Sequence, residues 1–78
     1  MPALDQAVAG HRYRVERIEG AAELVQRLLE LGLLEGEEVV VVGFAPLGDP
    51  MEIEVGSTRL SLRKRDAANI TVVPVQIE

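Results

Sequence analysis

The fold is decided by residues 27–42, RLLELGLLEGEEVVVV, in which a helix gives way to a strand. A helix is predicted over residues 21–31, which are good helix formers, with Gly20 as a weak N-cap. The leucines that share one face of this helix, at i, i+4 and i+7, are Leu24, Leu28 and Leu31. Gly32 stands where a left-handed residue stops a helix, and Leu33 can fold back onto the last turn.

The strand that follows is predicted to be the centre of a sheet. Gly36 permits a turn, after which residues 38–45, EVVVVGFA, form a β-branched run too uniform to be half exposed throughout. Residues 46–50, PLGDP, then form a turn cluster in which the second proline holds Asp49 extended. The chain therefore leaves the central strand through a tight loop.

A β-hairpin comes next, and its register can be predicted because Gly56 and Ser57 form a two-residue loop. The opposed pairs are Val55 with Thr58, Glu54 with Arg59, Ile53 with Leu60, Glu52 with Ser61 and Met51 with Leu62. This register places the apolar residues on one face and the charges on the other. It predicts that Arg59 pairs with Glu54 and that Arg63 reaches Glu52 diagonally, as surface pairs worth about 0 to 1 kcal/mol each.

The flanking segments supply two further strands. Residues 13–18 alternate apolar and charged side chains, with a bulge or an early end predicted near Arg17. After residues 65–69, predicted as a single helical or 3₁₀ turn, a last strand begins, and Pro74 places it at an edge or a bulge. We therefore predict a mainly β fold, with about five strands in a small barrel and one helix between the first and second strands.

The composition is that of one ordinary globular domain, residues 1–78. Of the 78 residues, 47% are hydrophobic and 27% are charged, which leaves room for a single compact core. The lack of cysteine excludes disulfides, thiolate metal sites and a cysteine nucleophile, and it fits the cytoplasm. The first residues do not form a secretory signal, and the longest aliphatic run, residues 39–42, is far shorter than the roughly 20 residues of a membrane span. We expect a cytoplasmic protein that does not insert into a membrane.

The charge disfavours nucleic acid as a partner. The formal net charge is −5, whereas phosphate neutralisation by Lys and Arg supplies most nucleic-acid binding. Only Tyr13 and Phe44 are aromatic, which is too few for a surface that stacks bases or a groove that binds Pro-rich peptides. The basic side chains that nevertheless cluster within seven positions are Arg59, Arg63, Lys64 and Arg65. One patch of an acidic domain is therefore locally positive.

No catalytic or metal-binding constellation stands out. The one histidine, His11, lies in a turn-rich lead-in, and the serines Ser57 and Ser61 lie in the hairpin, so no Ser/His/Asp arrangement is expected. The oxygen and nitrogen ligands considered for ferrous iron are His11, Asp49, Glu52, Glu54 and Asp66. Only Glu52 and Glu54 are suitably spaced, and they are expected on a solvated strand face. We predict no enzyme, no cofactor and no metal site, with at most weak Fe²⁺ binding.

The predicted partner-binding residues lie in two places. One is the turn cluster of Pro46, Leu47, Gly48, Asp49 and Pro50. The other is Lys64 with Arg65, which have no cross-strand partner and are expected to meet an external anion or acidic partner. The leucines that either pin their turns to the core or contact a protein are Leu33, Leu34 and Leu47. An exposed edge strand near residues 70–77 would also allow a homo-oligomer.

Three blocks of the sequence together resemble the FeoA family. They are RLLELGLLEGEEVVVV, APLGDPMEIEV and LSLRKRDAANITV, and the match runs in order over about residues 10–73. The resemblance implies an SH3-like domain that acts with FeoB, a membrane ferrous-iron transporter with a cytoplasmic G-protein domain. It places Leu28, Gly32 and Gly36 in the helix-to-strand turn and Leu62, Arg63 and Ala67 near the last turn. It supplies no catalytic residues.

Three functions of different classes follow. The first is an accessory, regulatory subunit that binds the cytoplasmic part of FeoB and is recruited by it to the inner face of the membrane. The second is a metal-sensing or metallochaperone module, similar to the C-terminal domain of iron-dependent repressors, whose carboxylates bind ferrous iron. The third is a GTPase activator in which Arg63 or Arg65 supplies transition-state charge. The first is our prediction, and the second is its main alternative.

Overall fold

The computed structural model describes residues 2–75, which form one five-stranded antiparallel sheet in the order β4-β3-β2-β1-β5. The elements, after a 3₁₀ turn at Leu4–Gln6, are β1 (Arg12–Ile18), α1 (Ala22–Glu30), β2 (Glu38–Phe44), β3 (Met51–Val55), β4 (Thr58–Leu62), α2 (Lys64–Ala67) and β5 (Ile70–Pro74). The predicted five strands, with one helix between the first two, are confirmed. The short helical turn predicted before the last strand is α2.

The end of α1 is fixed by a Schellman motif. Gly32 has a φ of +93°, its N–H donates to the Leu29 carbonyl at 3.0 Å, and the Leu33 N–H donates to the Leu28 carbonyl at 2.9 Å. This geometry turns Leu33 back into the core, where both Leu28 and Leu33 are fully buried. The predicted leucine face is therefore wrong at Leu31, which caps the helix and is 41% exposed, because Leu33 fills the place beside the last turn.

The start of α1 also differs from the prediction. The N-cap is Ala21, with no side-chain cap, and not Gly20. Gly20 has a φ of +117°, a conformation that L side chains rarely adopt, so it serves the turn before the helix.

Strand β2 lies at the centre of the sheet, as predicted, but its valines are not uniformly buried. Val39 and Val41 are buried, whereas Val40 is half-buried and Val42 is exposed. The sheet is antiparallel and presents only one face to the core, so successive side chains alternate between core and solvent. The prediction treated a β-branched run as evidence of burial on both faces, and the sheet has only one covered face here.

The predicted bulge in β1 and the predicted hairpin register are both confirmed. Val15 lies opposite Val72 and Arg17 lies opposite Thr71, so one additional residue, Glu16, interrupts the pairing. The five pairs between β3 and β4 are those predicted from the two-residue loop.

The two edges of the sheet are not equivalent. Along the outer side of β5, Ala3 forms a bridge with Thr71, and the Val72 N–H donates to the Pro2 carbonyl at 3.0 Å. The edge predicted to be exposed near residues 70–77 is therefore partly covered by the amino-terminal segment, and residues 76–77 lie outside the described residues. Strand β4, at the other edge, pairs with β3 alone within residues 2–75.

One apolar core joins the sheet to both helices. Its buried members are Leu4, Tyr13, Val15, Leu28, Leu33, Val39, Val41, Met51, Ile53, Val55, Leu62, Ala67, Ile70 and Val72. The Tyr13 hydroxyl accepts a hydrogen bond from the Val8 N–H at 2.9 Å, which ties the lead-in to β1. None of the helices in residues 2–75 is long and apolar enough to cross a membrane.

Candidate partner-binding surface

The loop between β2 and β3 is a tight turn that holds Leu47 away from the protein. The Gly48 N–H donates to the Ala45 carbonyl at 2.6 Å, and the Ala45 N–H donates to the Pro50 carbonyl at 3.0 Å. Gly48 has a φ of +89°, which the turn requires and which glycine adopts without strain. Leu47, between Pro46 and Gly48, is 97% exposed. We call residues 46–50 the Leu47 loop.

The Leu47 loop is fastened to α2 by Asp49. An oxygen of its carboxylate accepts a hydrogen bond from the backbone N–H of Lys64 at 3.0 Å, across 15 positions of sequence. The sheet register explains why Asp49 and Lys64 lie close together, since Phe44 opposes Met51 and Met51 opposes Leu62. The loop and α2 therefore leave the sheet at the same end.

The side chain of Lys64 lies beside the base of the same loop. Its Nζ is 5.1 Å from the centroid of the Phe44 ring, within the range of a cation–π contact. The same Nζ is 3.9 Å from the position that a Cβ on Gly48 would occupy. Sequence reasoning missed the role of Phe44, because a register shift between Val41 and Gly43 precedes its pairing with Met51 and no two-residue loop fixes that register.

Three consecutive cations follow β4 without an ion pair within residues 2–75: Arg63, Lys64 and Arg65. We call them the cationic corner. The other five basic side chains are paired, as Arg12 and Arg14 with Glu38, Arg17 with Glu19, Arg27 with Asp66 and Arg59 with Glu52. The acidic body of the protein thus carries one corner whose positive charge is not neutralised by a described neighbour.

The predicted ion pairs of the hairpin are wrong. Arg59 lies directly opposite Glu54, yet its Nε is 3.9 Å from a Glu52 carboxylate oxygen. Diagonal neighbours across a pair of strands are within reach of long side chains, and Arg59 takes the diagonal partner. Glu52 is therefore occupied by Arg59, and Arg63 does not pair with it. Arg63, which the predicted pair with Glu52 kept out of the candidate surface, therefore belongs to it.

The predicted partner-binding residues are partly brought together. Pro46, Leu47, Gly48, Asp49 and Pro50 form the Leu47 loop, and Lys64 is bonded to it through Asp49. Arg65 follows on α2 and is exposed, but no side-chain hydrogen bond or ion pair joins it to the loop in the described part of the chain. Three leucines were candidates either for pinning a turn to the core or for contacting a protein. Leu33 is buried in the core, Leu34 is 45% exposed and Leu47 is almost wholly exposed.

Elsewhere on the surface, the sheet carries two shallow depressions of about 370 and 360 Å³ on either side of Arg12 and Val40. His11 lines one of them, and neither includes a residue of the Leu47 loop or of the cationic corner. Across residues 2–75, no group of three or more His, Asp or Glu side chains is arranged to hold a metal ion.

The bond between Asp49 and Lys64 predicts different effects for two substitutions. Asp49→Ala is expected to lower the free energy of unfolding by about 1 kcal/mol, because it leaves the Lys64 N–H without its acceptor. Asp49→Asn keeps an oxygen at that position and is expected to retain most of the stability. Urea denaturation of the two variants beside the wild type measures the difference. Equal losses in both would show that the bond contributes nothing.

Comparison with known proteins places the chain among proteins of ferrous-iron transport. The family model described as the FeoA domain matches residues 3–74. A Porphyromonas gingivalis protein named Fe(2+) transport protein A/Fe(2+) transporter FeoB fusion protein is 36% identical over 69 residues, which are 88% of this chain and 8% of the fusion protein.

The same fold is found in solved structures of related proteins. The solution structure of iron(II) transport protein A from Clostridium thermocellum matches with a TM-score of 0.90 and 39% identity, over 95% of this chain and 46% of that one. The crystal structure of Stenotrophomonas maltophilia FeoA complexed with zinc, described as an SH3 domain protein, matches with a TM-score of 0.81 and 31% identity, over 94% of this chain and 91% of that one. The predicted SH3-like fold is confirmed. The chain spans less than half the length of the fusion protein and of the Clostridium thermocellum protein.

Proposed function

The chain belongs to the FeoA family, and on that premise we propose that it is a non-enzymatic, regulatory binding subunit of a ferrous-iron uptake system, engaging the cytoplasmic part of an FeoB-type transporter. The proposal rests on one observation: a relative of this chain is named as a fusion of Fe(2+) transport protein A and the Fe(2+) transporter FeoB. Fusion keeps two modules at a high effective concentration, which favours a contact between them. Such a contact recruits a separate domain of this family to the inner face of the membrane.

The Leu47 loop and the cationic corner supply the surface for this contact. Leu47 is held outward by a turn whose base is closed by backbone hydrogen bonds, so little conformational entropy is lost when it is buried by a partner. Lys64 is bonded to the loop through Asp49, Arg65 follows it on α2, and both favour an acidic partner surface. An apolar tip next to uncompensated positive charge is therefore the part of the described surface best suited to a protein partner.

Binding to the transporter tests the proposal directly. Wild-type protein is expected to associate with the isolated cytoplasmic domains of FeoB or with full-length FeoB in membranes with nucleotide present. Leu47→Ala is expected to weaken that association about tenfold, since it removes apolar area that the contact buries. Leu34→Ala is the matched control, because Leu34 is also an exposed leucine next to a turn but lies outside the loop.

Two results would contradict the proposal. One is that the wild type associates with neither form of the transporter. The other is that Leu34→Ala weakens the association as much as Leu47→Ala, which would show that the loss is not specific to the loop. Circular dichroism of both variants confirms that each is folded before the binding is compared.

A further inference from the structure

Strand β4 is the free edge of the sheet. The opposite edge, along β5, is occupied by the amino-terminal segment through the Ala3–Thr71 bridge and the hydrogen bond from the Val72 N–H to the Pro2 carbonyl. Within residues 2–75, β4 pairs only with β3, and no backbone hydrogen bond joins its outer side to another segment. The protein thus covers part of one edge and leaves the other open within residues 2–75, and an open edge is a template for another strand.

The backbone groups that face outward along β4 can be identified from the ladder. The Val41 N–H donates to His11 and the Val41 carbonyl accepts from Gly10, so Val41 faces β1 and its neighbour Val40 faces β3. Val40 opposes Glu54, so the backbone N–H and C=O groups of Glu54 face β2, and those of its two neighbours on β3 face β4. The β3–β4 pairing has no register shift, so along β4 the residues whose backbone groups face β3 alternate with residues whose groups face outward. The N–H and C=O groups of Arg59 and Ser61 therefore point away from the sheet.

Two of the side chains along this edge are arginines: Arg59 lies 3.9 Å from a Glu52 carboxylate oxygen, and Arg63 has no ion pair within residues 2–75. Arg59, Ser61 and Arg63 alternate on the solvent face of the strand, and all three are exposed. Arg63 keeps an extended backbone, with φ of −65° and ψ of 140°, so the edge continues past the end of β4. It ends at the cationic corner, beside the Leu47 loop that Asp49 fastens to Lys64.

We propose that the β4 edge binds an extended, acidic segment of the transport partner by strand addition, with backbone hydrogen bonds to Arg59 and Ser61 and carboxylates placed near Arg59 and Arg63. This inference rests on the proposed function for the source of the segment, but the edge itself is a property of this chain. In strand addition the main chain supplies affinity and alternate side chains supply specificity. Arg59, Ser61 and Arg63 match three successive alternate residues of an added strand, so the two arginines face the first and the third of them.

A second copy of this chain offers no opposite charge to the same edge. Two β4 strands related by a twofold axis at Ser61 would place Arg59 opposite the Arg63 of the other copy. An axis at Arg59 would place two copies of that arginine opposite each other. Like charges directly opposite across strands are destabilising, whereas an opposite charge is stabilising. An axis at Leu60 would place Arg59 opposite Ser61, which avoids the repulsion but supplies no opposite charge. The arginines therefore favour a carboxylate-bearing strand over a second copy.

A model peptide tests the edge without the transporter. The probe is the capped seven-residue peptide TEVEVET, with the lysine peptide TKVKVKT and an alternately N-methylated TEVEVET as controls. Addition of TEVEVET is expected to shift the amide NMR signals of Arg59 and Ser61 and to slow their hydrogen exchange. The lysine peptide is expected to bind at least about tenfold more weakly than TEVEVET. The N-methylated peptide is expected not to slow the hydrogen exchange of the Arg59 and Ser61 amides.

Two variants separate the backbone contribution from the charge. Ser61→Pro removes an outward N–H without removing a hydrogen bond of the β3–β4 ladder. It is expected to weaken TEVEVET binding by about threefold to tenfold. Arg63→Glu tests the charge, and Arg17→Glu is its matched control, since Arg17 is exposed and, within residues 2–75, pairs only with Glu19. If Ser61→Pro is unfolded by NMR, Arg63→Glu against Arg17→Glu decides the question.

The outcomes distinguish this inference from the proposed function. Failure of TEVEVET to shift Arg59 and Ser61 at millimolar concentration, or equal binding of the lysine peptide, overturns strand addition. If the transporter binds and is sensitive to Leu47→Ala but indifferent to both Ser61→Pro and Arg63→Glu, strand addition is wrong and the proposed function stands. Peptide binding without any transporter association supports the edge and contradicts the proposed function. A dimer in sedimentation that Ser61→Pro abolishes assigns the edge to a second copy instead.

Discussion

Leu28→Ala is expected to lower the free energy of unfolding by about 2 to 5 kcal/mol, measured by urea denaturation. Leu28 is fully buried, and its side chain lies among core residues that come from both the helix turn and the sheet. Removing it deletes apolar contacts and leaves a cavity that the surrounding side chains fill only in part. Because small domains have a total stability of roughly 5 to 15 kcal/mol, this is a large share of it.

The matched control for this substitution lies one turn further along the chain. Leu31→Ala changes the same residue type, but Leu31 is 41% exposed at the helix cap, so the expected loss is within about 1 kcal/mol. Alanine is also the better helix former, which offsets part of the loss. A similar loss for both variants would mean that α1 packs on the sheet through a different face from the one observed.

Gly32→Ala is expected to destabilise the protein by about 1 to 2 kcal/mol, through the backbone alone. No atom lies within 4 Å of the Cβ that alanine would add, so no side-chain clash enters the effect. The φ of +93° is the cause, because an L residue is strained there, and this residue turns Leu33 into the core. Thermal and urea denaturation measure the loss.

Gly43→Ala provides the comparison that isolates this cause. Gly43 likewise has no atom within 4 Å of an added Cβ, but its φ lies outside the left-handed region. Alanine restricts the unfolded chain more than glycine does, so Gly43→Ala is expected to be neutral or to stabilise by about 0.4 to 1 kcal/mol. If Gly32→Ala were equally neutral, the Schellman turn would not be what fixes the end of the helix.

The binding surface differs from the core in what holds it in place. The Leu47 loop is positioned by backbone hydrogen bonds and by one carboxylate, and the cationic corner lies beside it on α2. The β4 edge ends at the cationic corner, where Asp49 joins the Leu47 loop to Lys64, so a strand added to β4 ends near the loop. The acidic remainder of the protein then orients the molecule, since within residues 2–75 the unpaired cations lie at this corner.

The amino-acid sequence by itself determined the order of the elements, the hairpin register and the bulge in β1. Each of these depends on neighbouring residues: the period of apolar positions, a glycine where φ is positive, or a two-residue loop that fixes which side chains oppose each other. Such signals act over a few residues and involve burial or strain worth more than about 1 kcal/mol. These signals do not depend on residues that are distant in the sequence.

The tertiary structure alone decided which surface groups meet. Arg59 pairs with Glu52 instead of Glu54, Asp49 reaches the backbone of Lys64, and Pro2 covers the edge of β5. Surface pairs contribute only about 0 to 1 kcal/mol, and several partners are within reach of one long side chain, so sequence spacing does not select among them. Which partners pair depends on the distances between side chains of neighbouring strands in the folded protein. The residues of the candidate surface could therefore be predicted from the sequence, but their contacts with one another are known only from the fold.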